Sequence, residues 1–166
     1  MNGRVGHRAA VARSVLGMAA VVGLMLIAGC GDNSAGVIKG DLEISDAVAR
    51  FPAPSGTGAV YLTIDNTGGA DALLSAEAPV AARAQIHQVV TEGGSSRMQM
   101  LDRLDIPADG TLRLRPGSYH IMLMNVAEVP QTGDEFELTL EFENAGSVVV
   151  PVEVVDQAEV DERFAD

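Results

Sequence analysis

Glu135-Phe136-Glu137-Leu138-Thr139-Leu140-Glu141-Phe142-Glu143 sets an apolar side chain at every second position and a polar one between. Successive side chains of a strand point to opposite faces, so Phe136, Leu138, Leu140 and Phe142 share one face and the carboxylates share the other. This is the patterning of a half-buried antiparallel strand and not of a helix, whose apolar positions recur every 3.6 residues. Working outward, Ser147 to Val155 (SVVVPVEVV) and Tyr119 to Val126 (YHIMLMNV) read as strands on either side of it. Further strands are expected at Ala59–Asp65, Ala72–Ala76, Ala84–Val90, Arg97–Leu101 and Thr111–Leu114, with Val37–Val48 forming a strand pair or one bent strand. Gly93-Gly94, Pro107-Ala108-Asp109-Gly110 and Arg115-Pro116-Gly117 supply turns between them. In the second of these, proline presets φ and Gly110 is expected to take a positive φ. Short strands at this spacing, with turn residues between, point to an all-β sandwich or barrel.

The chain has 166 residues, and its first thirty are of a different kind. Arg4, Arg8 and Arg13 precede an apolar run from Val15 to Ala28, which ends in Ile27-Ala28-Gly29-Cys30. Basic residues, a short apolar stretch and small residues before a cleavage point mark a secretory signal. The run is also short of the roughly 20 residues that a membrane-spanning helix needs. An apolar residue and two small ones before the only cysteine of the chain resemble the bacterial lipobox, in which that cysteine is acylated and becomes the mature N-terminus. The organisation expected is therefore a lipoprotein signal peptide over residues 1–29, a lipidated Cys30 with a tether over 30–36, one β domain over 37–155, and an acidic tail over 156–166. The tail is expected to be solvated or a short frayed helix.

Composition limits the chemistry. Without the leader, 8 Lys and Arg stand against 23 Asp and Glu, which argues against nucleic acid as a partner. With Cys30 given to lipid, the domain has no thiol. Disulfides, cysteine nucleophiles, thiolate zinc sites and blue-copper centres are all excluded. No Ser-His-Asp arrangement is evident either, and the chain is not expected to be an enzyme.

The remaining histidines and methionines are concentrated. Outside the leader there are two His and four Met, and all six lie between His87 and Met124. Spacing of two along a strand places His120, Met122 and Met124 on one face, and likewise Met98 and Met100 on theirs. Thioether sulfur is soft and suits Cu(I) while serving Zn²⁺, Mg²⁺ or Ca²⁺ poorly, and imidazole also suits copper. Methionine equally fills gaps in cores, so a core role stays open, above all for Met100 and Met124. Those two could also shield a site from outside it.

His87, ten residues, Met98, twenty-one residues, His120, one residue, Met122 is the spacing of the periplasmic copper chaperones called PCu(A)C, which this chain resembles. The likeness extends to Ala59-Val60-Tyr61-Leu62-Thr63-Ile64-Asp65-Asn66-Thr67-Gly68 and to Arg115-Pro116-Gly117-Ser118-Tyr119-His120-Ile121-Met122-Leu123-Met124, and covers roughly residues 40 to 152. Val48 departs from it, standing where the family usually shows Trp. The resemblance implies a cupredoxin-like Greek-key β-barrel or sandwich and a Cu(I) site made by His87, Met98, His120 and Met122; Met100 and Met124 lie outside that set and are expected as auxiliaries to it. It also implies copper delivery toward the Cu(A) subunit of cytochrome c oxidase, alongside Sco-type proteins. The lipobox adds attachment to the extracytoplasmic, periplasmic or cell-surface, face of a bacterial membrane. The reading from another class is a structural or adhesive β-sandwich lipoprotein that binds no metal.

Overall fold

The computed structural model describes residues 36–52 and 56–165. The expected leader, Cys30 and the tether up to residue 35 lie outside them. The described residues belong to one compact unit. Its elements are β1 (Val37–Lys39), β2 (Leu42–Arg50), β3 (Thr57–Asn66), β4 (Asp71–Glu77), β5 (Ala81–Glu92), β6 (Ser95–Leu101), β7 (Leu104–Ile106), β8 (Gly110–Leu114), β9 (Tyr119–Val126), β10 (Glu135–Phe142), β11 (Gly146–Val154) and α1 (Gln157–Arg163). Hydrogen-bonded neighbours run β6-β5-β9-β8-β3-β2-β11-β10-β4-β7, β1 pairs β2, and β9 also pairs β3. Most pairs are antiparallel, whereas β11 with β2 and β8 with β9 are parallel. The all-β expectation holds.

The alternating strand does what its pattern dictates. Phe136, Leu138 and Leu140 of β10 stand opposite Val152, Val150 and Val148 of β11, and all six are buried in one core. That core also takes Leu62 and Ile64 from β3, Leu73 from β4, Ile86 from β5 and Ile121 and Leu123 from β9. Each such side chain contributes about 1.5–3 kcal/mol by leaving water.

A bulge in β2 creates a second, smaller core. Leu42 and Ile44 point into the main core, but the register against β3 shifts between Ser45 and Val48. Asp46 there takes a φ of 55°, and its carboxylate accepts a hydrogen bond from Thr63 Oγ1 at 3.3 Å. An extra residue in one strand re-aims those beyond it. Past the bulge, Ala49 faces the main core, while Val48 faces outward to join Val155, Val160 and Phe164, with Tyr61 packed against them.

This second core takes up part of the acidic tail. Residues 157–163 form a helix whose N-cap, Asp156, accepts from Glu159 N at 3.0 Å. Val160 and Phe164, one helical turn apart, are buried. Arg163 pairs with Glu153 and Glu159. The short helix among the expected alternatives is what forms: most of its residues are exposed, and two apolar ones at helical spacing seat it over the face that Val48 and Val155 leave open.

The turn before β8 also differs from expectation. The positive φ, 47°, falls on Asp109. Gly110 instead starts β8, where a Cβ would lie 2.8 Å from Pro107 Cγ. Close approach, and not φ, is the reason for glycine there.

Candidate metal site

β5 lies between β6, an edge strand, and β9. Ile86, Ile121 and Leu123 of these strands point inward and are fully or almost fully buried. Side chains alternate across a sheet, so residues 85, 87 and 89 of β5, 98 and 100 of β6, and 120 and 122 of β9 project from the outer face. The β5–β6 hairpin turns through Gly93 and Gly94, both at positive φ (58° and 81°). This is the two-residue turn whose twist matches paired strands, and it needs glycine-like freedom at both positions. It fixes the register: His87 opposes Met100, and Val89 opposes Met98. Across the other edge of β5, His87 opposes His120, and Gln85 opposes Met122.

One row of the outer face therefore reads Met100–His87–His120. Met98 lies two pairs toward the hairpin turn, and Met122 two pairs the other way. The two His rings meet edge to face, with centroids 5.7 Å apart and planes at 73°. His120 is buried, and Met98 and Met100 are exposed at 59% and 52%. His87, Met122 and Met124 are half-buried. Met124 opposes Arg83 and Thr57. Four residues along β9 separate it from His120, about 13 Å at strand rise, so the fold does not bring it to the histidine pair.

Hydrogen bonds set which ring nitrogens are free. His120 Nδ1 lies 3.4 Å from the Ser118 carbonyl oxygen. A carbonyl can only accept, so Nδ1 carries the proton and Nε2 keeps its lone pair. His87 Nε2 lies 3.3 Å from Gln85 Oε1. His87 Nδ1 is buried and has no hydrogen-bond partner. An orphaned buried ring nitrogen beside a second imidazole is a cost that a bound cation would remove. Burial lowers the pKa of both histidines. For His120 the Ser118 carbonyl works against this and neighbouring His87 adds to it. Both rings are thus neutral and able to donate at neutral pH.

Among the described residues, no three His, Cys, Asp or Glu side chains come together to hold a metal. The donor set of this face is two imidazoles and several thioethers, soft and uncharged. Three neighbours of the site went unmarked in the sequence. Gln85 and Ser118 orient the two histidines, and each sits two residues before its partner, a spacing that could have revealed them. Tyr61 lies 6.5 Å from the His120 ring and 5.9 Å from Phe164, joining the site to the second core.

Comparisons with known proteins agree with this architecture. A family model described as "Putative lipoprotein LpqE-like" matches residues 42–154. A protein of Leifsonia xyli subsp. xyli (strain CTCB07), named "Putative lipoprotein Lxx21020", is 34% identical over 125 residues, 74% of this chain and 75% of that one. Among solved structures, the copper-bound PCuAC domain from PmoF2 superposes with a TM-score of 0.62 at 21% identity, covering 72% of this chain and 97% of that domain. The apo PCuAC domain from PmoF1 gives 0.62 at 24% identity, covering 73% and 98%. CuI-DR1885 from Deinococcus radiodurans gives 0.57 at 24%, covering 76% and 84%. The chain has the cupredoxin-like PCuAC fold, as the family resemblance implied.

Proposed function

The chain belongs to the LpqE-like family, and from that premise we propose that it is an extracytoplasmic metallochaperone carrying one Cu(I) ion through His87, Met98, His120 and Met122. The observation that carries this reading is the direct opposition of His87 and His120, each with a ring nitrogen available, on an outer face that also bears exposed thioethers. Copper is cargo here and not a catalytic cofactor. Neutral ligands leave the ion its single positive charge and no thiolate to activate it, as suits a carrier and not an enzyme.

An open face also favours handover. An incoming thiolate or imidazole can approach from solvent and replace one donor at a time, so the ion never leaves its ligands entirely. Acylation at Cys30 would hold the domain at the extracytoplasmic surface of the membrane, where the Cu(A) subunit of cytochrome c oxidase is the receiver we propose, with Sco-type proteins as co-workers. The relatives described as lipoproteins support the anchor.

Anaerobic Cu(I) titration of the mature protein against a competing chelator, with X-ray absorption to count nitrogen and sulfur neighbours, tests the site. One equivalent bound by two nitrogens and two sulfurs is expected, with strong loss on His120→Ala. Absence of uptake would favour the metal-free adhesive or structural sandwich. Cys30→Ala tests the anchor: it should move the protein from the membrane to the soluble fraction.

A further inference from the structure

We propose that the thioether contributed by β6 is shared: Met98 and Met100 alternate as the outermost ligand of the same ion, so that this coordination position is an exchange point. The inference rests on the Cu(I) reading above. It begins from the hairpin register. Met100 is directly across from His87, whereas Met98 is across from Val89 and diagonal to His87. Directly opposed side chains on a sheet face have Cβ atoms about 4.5–5.5 Å apart, and diagonal ones are about 7–8 Å apart. Met100 therefore starts closer to the histidine pair than the methionine singled out by sequence spacing.

Both side chains are more than half exposed, and both stand on a strand paired along one side only. Neither is locked by packing, and methionine has three rotatable bonds with which to swing toward the ion. Met122, in contrast, stands on β9, which is hydrogen-bonded on both sides to β5 and β3, and is half-buried. The firm part of the site is thus His87, His120 and Met122. Two thioethers compete for what remains, since a soft d¹⁰ ion does not accommodate five such donors at once.

The swap is a ligand substitution: one Cu–S bond breaks as another forms, with no change in oxidation state. An acceptor's thiolate arriving at the β6 edge would enter by the same step, displacing whichever methionine is bound. The second methionine keeps the position filled when the first is released, so copper is lost to an acceptor and not to solvent.

Cu(I) titration and X-ray absorption of the mature protein and its Met98→Leu, Met100→Leu and Met98→Leu/Met100→Leu variants test the proposal. Leucine preserves size and polarity at these exposed positions, so folding is retained. Each single variant should keep two sulfur neighbours and lose no more than about tenfold in affinity. The double variant should keep one sulfur and lose about a hundredfold or more, beyond the product of the single effects. The proposal is overturned if Met98→Leu alone leaves one sulfur, or if the double variant matches Met98→Leu. In that case copper binding by wild type still stands. If wild type takes up no Cu(I), the copper reading falls and this proposal with it.

Discussion

His87 and His120 oppose each other directly across β5 and β9, their rings 5.7 Å apart, and burial holds both below the ordinary imidazole pKa. A lowered folded-state pKa means that the unfolded chain binds more protons as pH falls through the imidazole range. Stability of the metal-free protein is therefore full above the unfolded value of about 6.5 and declines as pH drops through the depressed values. Cu(I) affinity should fall over the same window, because protons and the ion compete for the same lone pairs. Thermal melts of the metal-free protein and chelator competition, both run from neutral to mildly acidic pH, check this. An affinity that did not change with pH would remove the imidazoles from the site.

Alternation along β9 predicts a clean division of effects. Ile121 and Leu123 are wholly buried, and their neighbours Met122 and His120 project from the other face. Ile121→Ala should cost about 2–5 kcal/mol of stability. Met122→Leu should cost under about 1.5 kcal/mol, being close to volume-conserving, while removing one sulfur from the copper shell. Urea unfolding and Cu(I) titration of the two variants should give opposite rankings.

Asp71 is a buried anchor far from the histidines. Its carboxylate accepts from Ala72 N at 2.7 Å, Asn144 N at 2.8 Å and Ala145 N at 3.0 Å, tying the β10–β11 turn to β4. Burial alone would raise its pKa, but these donors bring it below the usual carboxylate value. The stabilisation is present above the unfolded pKa of about 3.9 and is lost as pH falls through the lower folded value. Asp71→Ala strands three N–H groups and should cost on the order of 2–4 kcal/mol, and it should flatten the acid end of the stability curve. Copper affinity should not change.

Phe164 closes the second core over Tyr61. Burial, with Asp161 in support and Arg50 opposing, raises the Tyr61 pKa. Phe164→Ala should cost about 3 kcal/mol and return the Tyr61 titration toward that of a free phenol. Ultraviolet titration of the variant in a Tyr119→Phe background isolates the signal. An unmoved Tyr61 titration would show that α1 is not what covers it.

Much of this was legible where period and spacing are strong. Tyr119–Val126 was readable to the residue, since its side chains alternate and the Arg115-Pro116-Gly117 turn bounds its start. β7 was not, because three residues carry no period. The helix α1 was obscured by its acidic composition: only Val160 and Phe164 mark its buried side, and what they bury against exists only because the bulge at Asp46 turns Val48 outward. The spacing resemblance singled out His87, Met98, His120 and Met122 as proposed ligands, and the fold places them on one outer face of adjacent strands. The standing of Met100 was hidden in the turn. Once Gly93 and Gly94 are a two-residue hairpin loop, pairing Glu92 with Ser95 forces His87 opposite Met100, a fact that residue spacing alone does not express.

The position of β6 at the rim of the sheet has a mechanical meaning. A peripheral strand exposes unpaired amide groups and is the part of a sheet most prone to peel away or recruit another chain. An ion gripped between β6, β5 and β9 would act as a rivet through three strands, fastening this margin of the sheet to its interior. Loaded protein should then exchange the amide hydrogens of residues 95–101 more slowly than empty protein. Giving up the cargo would loosen the rim, leaving the emptied carrier physically distinguishable from the full one.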